Sequence, residues 1–319
     1  MIICKEISLS DDMPWDGLAE KSSTATFFQT QDWLTLWLKH FPIKEKILGV
    51  FDGEELIGIA PFEQGRTLKG PTLISFLGTT PVVGGELVSD FGDIIAKTSY
   101  EEIVWEEILA NLKSQISNLK SLVFNFIRAD SPSFNVLQEL GGKAEEIDVA
   151  PYIDLPKSWE DYLASLGRHN RHELRRKMRK LGNATVMRGN LSDIDEFFRL
   201  MTLGNEQKRN FLKPDIKGFF QDVITLFLPK DMLEISFLEY EGRKIAAVLI
   251  FIFHNEVLLY NSGFDPKYSH LSPGLILKAY AIKEAIEKGR KRFDFLRGGE
   301  RYKYDLGGKE RKLYRIRII

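Results

Sequence analysis

The sequence predicts a mixed α/β (α+β) protein made of two similar domains, each with a mixed central sheet flanked by helices. Two observations carry this prediction. The chain contains two strand hairpins with tight glycine turns, and the same succession of strand, irregular loop, helix and strand follows each of them. With 319 residues, 44% of them hydrophobic, the chain is long enough to bury two cores.

A helix and a hairpin begin the first predicted domain. An amphipathic helix is indicated by the segment FFQTQDWLTLWLKHF, in which the apolar residues recur at helical spacing. A hairpin is predicted for KILGVFDGEELIGIAPFE, because Asp52-Gly53 supplies the positive φ angles that a tight turn needs. We expect the strand TLISFLG, a loop, a helix from Tyr100 to Ile116 and the strand SLVFNFI to complete this domain.

The second predicted domain repeats this order. Its hairpin, LEISFLEYEGRKIAAVLIFIF, turns at Glu241-Gly242, and the apolar run Ile245 to Phe253 reads as a buried strand rather than a membrane span. The strand EVLLYNSG, a loop, a helix from Leu275 to Lys288 and the strand RFDFL follow. A boundary near Pro151 then gives domains at 1–150 and 151–319.

Charge and cysteine content exclude several classes of protein. The chain has 44 basic and 45 acidic residues and an isoelectric point near 6.6, so no general positive field attracts nucleic acids. The single cysteine, Cys4, excludes an internal disulfide and lies in a strand pattern where we expect a small buried thiol. No metal site is expected. No secretory or transit segment begins the chain, which predicts a cytoplasmic protein without a transmembrane segment.

One segment departs from this balance of charge. The run LGRHNRHELRRKMRKLG contains seven Lys or Arg and two His around the single acid Glu173. As a helix it places Leu174, Met178 and Leu181 on a narrow apolar stripe, and Arg168, Arg171 and Arg175 in one exposed row. A solvated helix face is one interpretation. The other is a site for an external anion, because like charges at these spacings repel one another and few acids offset them.

The loop before the last long helix is a candidate phosphate site. In HLSPGLIL, Ser272 suits an N-cap, Pro273 suits the first helical position, and Gly274 leaves the first turn without a side chain. Backbone N–H groups there, with His270 and Lys278 nearby, are suited to phosphate oxygens. The same residues are also consistent with helix capping alone.

The succession of strand, loop and helix resembles the acyl-CoA segment of the GCN5-related N-acetyltransferase (GNAT) superfamily. More particularly, the segments GIAPFE, ELVSDFGDII, GRHNRHELRRKMRKL, HLSPGLIL and FDFLRGGERYKYDLGG, in this order, resemble the FemAB-like and CelD-like (cellulose-biosynthesis-associated) two-domain acetyltransferases. The resemblance implies tandem GNAT-like domains, an acyl donor held by the second domain and an acceptor in a cleft between the domains. The first half has Val83-Gly84-Gly85 instead of Ser-Pro-Gly, so one donor site is expected.

The resemblance assigns residues to this chemistry. The implied donor is acetyl-CoA or another acyl-CoA, with the end of LLYNSG lining its pantetheine arm. The donor-binding candidates are Asn261, Ser262, Gly263, His270, Leu271, Ser272, Pro273, Gly274, Leu275 and Lys278. Asp90, Asp93 and Glu300 are candidate bases, although the two aspartates also suit turn capping. Tyr302 and Tyr304 are candidate acids, in a segment that we interpret as a strand with alternating faces. Lys303, with the arginine row, is a candidate for binding substrate charge.

Three functions remain open at this point. The first is transfer of an acyl group from acyl-CoA to an amine or hydroxyl of a small-molecule or polysaccharide-precursor acceptor, as a step in cell-envelope or polysaccharide biosynthesis. The second, implied by other members of the same family, is aminoacyl-tRNA-dependent transfer to a cell-wall precursor; the neutral overall charge and the lack of an RNA-binding motif favour the first. The third is a non-catalytic protein that binds an anion, a polysaccharide or a partner on the same fold.

Overall fold

The computed structural model describes residues 1–66, 72–116 and 119–318. The chain divides into two compact units, one formed by residues 1–149 together with the segment from Arg311 onward, the other by residues 150–310. In the described ranges no helix is both long enough and apolar enough to cross a bilayer.

Unit 1 is built on an eight-stranded sheet. Its strands are β1 (Ile2–Ile7), β2 (Glu45–Asp52), β3 (Glu55–Arg66), β4 (Thr72–Phe76), β5 (Ile95–Ala96), β6 (Leu119–Arg128), β7 (Lys143–Val149) and β14 (Lys312–Ile318). Its helices are α1 (Trp15–Glu20), α2 (Gln31–His40), α3 (Glu101–Gln115) and α4 (Pro132–Glu139). The strand order is β1-β2-β3-β4-β6-β14-β7, with β5 pairing to β3.

Unit 2 is built on a six-stranded sheet. Its strands are β8 (Tyr152–Asp154), β9 (Thr185–Arg188), β10 (Leu233–Tyr240), β11 (Arg243–Phe253), β12 (Glu256–Phe264) and β13 (Arg292–Asp294). Its helices are α5 (Trp159–Ser165), α6 (Arg168–Leu181), α7 (Ile194–Thr202), α8 (Glu206–Phe211), α9 (Pro214–Phe227), α10 (Pro273–Glu287) and α11 (Arg301–Asp305). The strand order is β8-β13-β12-β11-β10-β9.

The two sheets share one plan, which confirms the predicted fold class. In each unit a hairpin, β2-β3 or β10-β11, is followed by a third strand, β4 or β12, that pairs antiparallel with the second strand of the hairpin. On its other side this third strand pairs in parallel with a later strand, β4 with β6 and β12 with β13. Both predicted glycine turns occur, with φ of 61° at Gly53 and 72° at Gly242. The helices predicted at Tyr100 to Ile116 and Leu275 to Lys288 are present within two residues of their expected ends, whereas the helix predicted from FFQTQDWLTLWLKHF begins only at Gln31, after extended backbone at Thr30.

The last strand departs from the predicted domain limits. We expected the second domain to continue through residue 319, but β14 inserts between β6 and β7 of unit 1, pairing Ile316 with Phe124 on one side and with Ala144 on the other. Leu313 and Ile316 are fully buried there. The physical reason is that the apolar residues of β14 complete the core of unit 1.

Candidate functional site

An open strand edge defines the candidate site in unit 2. β12 and β13 pair in parallel over only three residues of each strand, from Glu256 opposite Arg292 to Leu258 opposite Asp294. Beyond that point β12 continues to Phe264 with β11 as its partner. The segment that follows β13 leaves the sheet at Leu296, which has φ of 58°. The second half of β12 therefore has a backbone edge that β13 does not cover.

A bulge lies at the start of this edge. The register of β11 and β12 shifts between Leu249 and Ile250, which pair with Asn261 and Leu259, so that Tyr260 is the extra residue. A bulge twists the strand and redirects its backbone groups, and bulges are common next to active sites. The residues that follow the bulge, Asn261 to Gly263, are those that the sequence assigned to the donor arm.

Gly263 is required by close packing of α7 on β12. A Cβ atom at this position would lie 2.2 Å from the Leu200 carbonyl oxygen and 2.3 Å from Met201 Cα. Both are backbone atoms, which cannot move away as a side chain can. Gly263 thus lets α7 cover one side of the strand end.

The helix α10 begins beside the end of this strand. Ser272 stands at the N-cap position with φ of 55° and ψ of 44°, but its side chain makes no capping hydrogen bond, contrary to the prediction from its residue type. Pro273 and Gly274 are buried in the first turn, and a Cβ atom on Gly274 would meet the ring of Phe264 at 3.1 Å. The start of α10 therefore packs closely against the Phe264 ring at the end of β12.

The remaining donor-loop candidates differ in exposure. Leu271 is buried in the core of unit 2 and Leu275 is half-buried against it. His270 is exposed, and its carbonyl oxygen accepts a hydrogen bond of 3.1 Å from Lys180 at the end of α6. This bond links the basic helix to the loop before α10.

Lys303 organises the loop that turns away from β13. Its side chain is 2% exposed, and its ammonium donates to the carbonyl oxygens of Leu296, Arg297 and Gly298 at 3.1, 2.8 and 2.9 Å. It also pairs with Glu300 Oε2 at 2.9 Å. With these four partners the ammonium is saturated, which gives Lys303 a position inside the loop rather than on a surface that binds substrate.

Lys278 lies in the same region with far fewer partners. Its side chain is 7% exposed, its Nζ is 3.3 Å from the Gly274 carbonyl oxygen, and the ring of Tyr302 lies 4.6 Å away. Burial and the neighbouring charges of Lys208 and Lys303 lower the pKa of Lys278 to about 7. A lysine that loses its proton near neutral pH is typical of functional sites.

Lys208 completes this cluster, and it was not among the residues predicted from the sequence. From α8 its Nζ donates to Asn261 Oδ1 at 2.9 Å and to the Ser262 carbonyl oxygen. Burial lowers the pKa of Lys208 to about 8, although the charge of Glu300 opposes the shift. Lys208 lies in the ordinary polar segment NEQKRN, which does not mark it as a functional residue. It is buried only because α8 places its side chain against Asn261 and Ser262 of β12.

The two candidate tyrosines lie on a helix, which corrects the predicted strand. Arg301–Asp305 form α11, in which Tyr302 and Tyr304 differ in surroundings. Burial raises the pKa of Tyr302, with a smaller contribution from Glu300, so its hydroxyl stays protonated at neutral pH. Burial also raises the pKa of Tyr304, whose hydroxyl donates to Glu310 Oε2 at 3.0 Å. Tyr302 thus lies in the lysine cluster, and Tyr304 is directed toward Glu310.

The candidate aspartates belong to unit 1. Asp93 is 1% exposed and accepts hydrogen bonds from Ser131 Oγ at 2.5 Å, Ser133 Oγ and the Ile94 N–H at 2.8 Å. Burial raises the pKa of Asp93 to about 6, against these bonds and the charge of Arg128. Asp93 therefore ties its loop to the start of α4 mainly through the side chains of two serines that are distant in sequence, and Asp90 is also buried.

The basic helix α6 forms as predicted. Leu174 and Leu181 are buried and Met178 packs on the same core. The three arginines of the predicted row line one cavity of about 640 Å³. Its lining residues are Arg168, His169, Arg171, His172, Arg175 and Arg179. Glu173 is bound by Arg176 at 3.0 and 2.8 Å, which lowers the pKa of Glu173 to about 2, so this acid does not offset the arginine row.

No group of metal-ligating side chains occurs in the ranges that the structure describes. The candidate site in unit 2 contains a backbone edge, a helix start, two lysines, a carboxylate and a tyrosine. Their arrangement is suited to holding an extended ligand along β12 with an anionic group beside α10.

Comparisons with known proteins agree with this geometry. Residues 168–304 match the family model of an acetyltransferase (GNAT) domain. The fold resembles the crystal structure of FemX, with a TM-score of 0.72 and 13% identity over 98% of this chain and 96% of that chain. L-PGS from Bacillus licheniformis has a TM-score of 0.53 and 12% identity over 89% and 90% of the two chains. A tandem GNAT protein from the clavulanic acid biosynthesis pathway has a TM-score of 0.52 and 9% identity over 99% and 98%. No curated protein matches the sequence.

At these identities the structural likeness concerns the fold, and the family model covers the domain that carries the candidate site. The match of residues 168–304 to an acetyltransferase (GNAT) domain indicates an acyltransferase. Residues 168–304 thus match the GNAT domain that the sequence motifs implied for the second half, and the fold of the whole chain resembles those of FemX and of a tandem GNAT protein.

Proposed function

We propose that the protein transfers an acyl group from acyl-CoA to an amine or hydroxyl of an acceptor. The observation that carries the proposal is the open edge of β12 from Leu259 to Phe264, with the start of α10 beside its end. An uncovered strand edge suits the amide groups of a pantetheine arm, and a helix start suits the diphosphate.

The proposed donor site uses mostly backbone groups. The Gly274 N–H at the start of α10 binds the diphosphate with the positive end of the helix dipole behind it, and Gly274 keeps that turn free of a side chain. The backbone after the bulge, Asn261 to Gly263, lines the arm and polarises the carbonyl of the thioester. No covalent enzyme intermediate is required.

The transfer step is assigned to groups around α11. The acceptor nitrogen or oxygen attacks the thioester carbon, the C–S bond breaks, and the acceptor proton passes to Glu300, whose side chain is 58% exposed. Tyr302 contributes a protonated hydroxyl that donates a hydrogen bond to the departing sulfur. Lys303 positions Glu300 and the loop before it through the contacts described above.

Unit 1 supports the assignment of one donor site. Its equivalent parallel pair, β4 and β6, is followed by a loop in which the Gly92 N–H donates to the Phe126 carbonyl oxygen of β6 at 3.2 Å. Its next long helix, α3, begins with Glu101 and Glu102. Acids in the first turn of a helix repel a phosphate. The loop that contains Gly92 also occupies part of the β6 backbone.

Binding of acetyl-CoA tests the proposal through Gly274. We expect Gly274→Glu to abolish binding measured by isothermal titration calorimetry, because the new carboxylate repels the diphosphate at the helix start. The fold should be retained, since an acid in the first turn favours the helix. Gly274→Ala is the matched control, adding a methyl group that only the exposed Phe264 ring has to accommodate. Equal binding by the wild type and Gly274→Glu, or no binding by the wild type, would contradict the proposal.

We assign the acceptor's anionic group to the arginine row of α6. The helix begins at Gly167 without a capping side chain and has no acid in its first turn. Arg168 and Arg171 thus stand at the positive end of the helix dipole, where an external anion is the stabilising partner. A phosphorylated or acidic acceptor, such as a precursor of a cell-envelope polysaccharide, fits this surface.

An aminoacyl-tRNA-dependent reaction is the second candidate, favoured by the basic cavity along α6 and by the fold shared with FemX. Filter binding of charged tRNA separates the two functions. Tight binding with a steep salt dependence that is lost on combined substitution of Arg171 and Arg175 by Ala supports the tRNA-dependent reaction. Weak binding that the substitutions do not change supports the acyl-CoA reaction.

A further inference from the structure

Positive charge is in excess beside the start of α10. Lys278 lies in the electrostatic field of Lys208 from α8, of Lys303 from α11 and of a single carboxylate, Glu300. Glu300 is already paired with Lys303 at 2.9 Å. Two buried or half-buried lysines, Lys208 and Lys278, are therefore left without a carboxylate partner in the described part of the chain.

Lys278 also has unfilled hydrogen-bonding capacity. An ammonium carries three N–H donors, and among the described residues Lys278 makes only the 3.3 Å contact with the carbonyl oxygen of Gly274 on its own helix. The Tyr302 ring covers one side of it. Buried donors without partners are costly, which points to a ligand that supplies the acceptors.

We propose that Lys208 and Lys278 form a binding site for a dianionic oxygen group such as a phosphate of a substrate. The inference rests on the proposed function, because that phosphate belongs either to the acyl donor or to the acceptor. The site differs from the arginine row of α6, and it uses side chains where the proposed diphosphate seat uses backbone N–H groups.

Charge and protonation explain how such a site operates. Near pH 8 the two lysines share fewer than two protons, since burial lowers the pKa of Lys208 to about 8 and burial with neighbouring charge lowers the pKa of Lys278 to about 7. A dianion between them favours both ammonium forms. Binding therefore takes up protons, and it weakens as the pH rises and the lysines become neutral.

Sulfate is a suitable probe because it is a dianion that does not titrate between pH 6 and 9. The experiment compares the melting temperature of the full chain in sodium sulfate with that in sodium chloride at equal ionic strength. We expect the excess stabilisation by sulfate to be smaller in Lys278→Met and Lys208→Met than in the wild type, and smaller at pH 9 than at pH 7. Lys283→Met is the matched control, since Lys283 lies on the same helix but is only half-buried and pairs with Glu287.

Met preserves the length and apolar stem of lysine, so the variants should fold. Because the control measures the general stabilising effect of sulfate, an excess that is equal in the wild type and in both site variants overturns the proposal. So does an excess that is equal at pH 7 and pH 9.

Calorimetric titration then distinguishes the sources of the phosphate. Coenzyme A represents the donor and uridine diphosphate represents a nucleotide-linked acceptor. The ligand whose affinity falls by about tenfold or more in Lys278→Met supplies the group. If coenzyme A binds and Gly274→Glu abolishes that binding, but Lys278→Met changes neither ligand, the proposed function stands and this inference fails. Absence of coenzyme A binding to the wild type contradicts the proposed function instead.

Discussion

Lys278 carries a charge that its folded environment opposes. Its folded pKa of about 7 lies below the value of an unfolded lysine, about 10.4. The unfolded chain therefore binds more protons between these two values, and the contribution of Lys278 to stability becomes more favourable as the pH rises through this range. Below about pH 7 the destabilisation is complete, and above about pH 10 it vanishes.

The first prediction follows from this difference. Lys278→Met should raise the stability of the protein at pH 7 by an amount on the order of a few kcal/mol, because the variant no longer buries a charge. The gain should shrink steadily toward pH 10. Urea denaturation at several pH values measures it, with Lys283→Met as the control that should show no such trend. A gain that is the same at every pH would refute the assignment of the lowered pKa to this residue.

Single residues also mark the limit of prediction from sequence. Lys278 could be recognised as unusual because it interrupts the apolar face of GLILKAYAI, a pattern that is local in the chain. Lys208 could not, because its low pKa depends on burial against Asn261 and Ser262, which are far from it in sequence. The saturation of Lys303 by three carbonyl groups is likewise a tertiary feature.

Elements were predicted where their signals are local. The hairpin turns, the apolar stripe of α6 and the Pro-Gly start of α10 each depend on neighbouring residues, and all are present. The strand predicted in place of α11 was wrong, because the alternating tyrosines in RYKYD resemble a strand pattern. Its single turn is stabilised by the contacts of Lys303 with Glu300 and the preceding loop, which a sequence pattern does not show.

The contact between α7 and β12 supplies a prediction at this scale. Gly263→Ala should destabilise unit 2 by about 3 kcal/mol or more, because its methyl group would overlap the backbone of Leu200 and Met201. Thermal melting and acetyl-CoA binding are the measurements, and both should be lowered. The matched control is Gly17→Ala, because a Cβ atom at Gly17 meets nothing within 4 Å. Gly289 is unsuitable as a control, because its φ of 68° would strain an alanine. A melting temperature equal to that of the wild type would mean that α7 does not approach the strand so closely.

At the scale of the molecule, the division of the sequence into two repeats was visible but the path of the chain was not. Both sheets follow from the same order of elements. The return of β14 to unit 1 could not be inferred, because its partners β6 and β7 lie far away in sequence and its alternating KLYRIRI pattern fits any half-buried position in a sheet. The position of β14 is specified by its two neighbours, because β6 and β7 each present a backbone edge that only a strand between them can pair with.

That arrangement makes unit 1 depend on the last strand. Replacing Ile316 and Ile318 by Asp together should unfold unit 1, because two charges would be buried in its core without partners, at about 3–5 kcal/mol for each. Limited proteolysis followed by mass spectrometry should then show cleavage within residues 1–149, whereas residues 150–310 stay protected, since they contain the whole second sheet. Arg317→Gln, an exposed change on the same strand, should leave the pattern of the wild type. Equal cleavage of both units in the double variant would show instead that the strand supports the whole chain as one cooperative body.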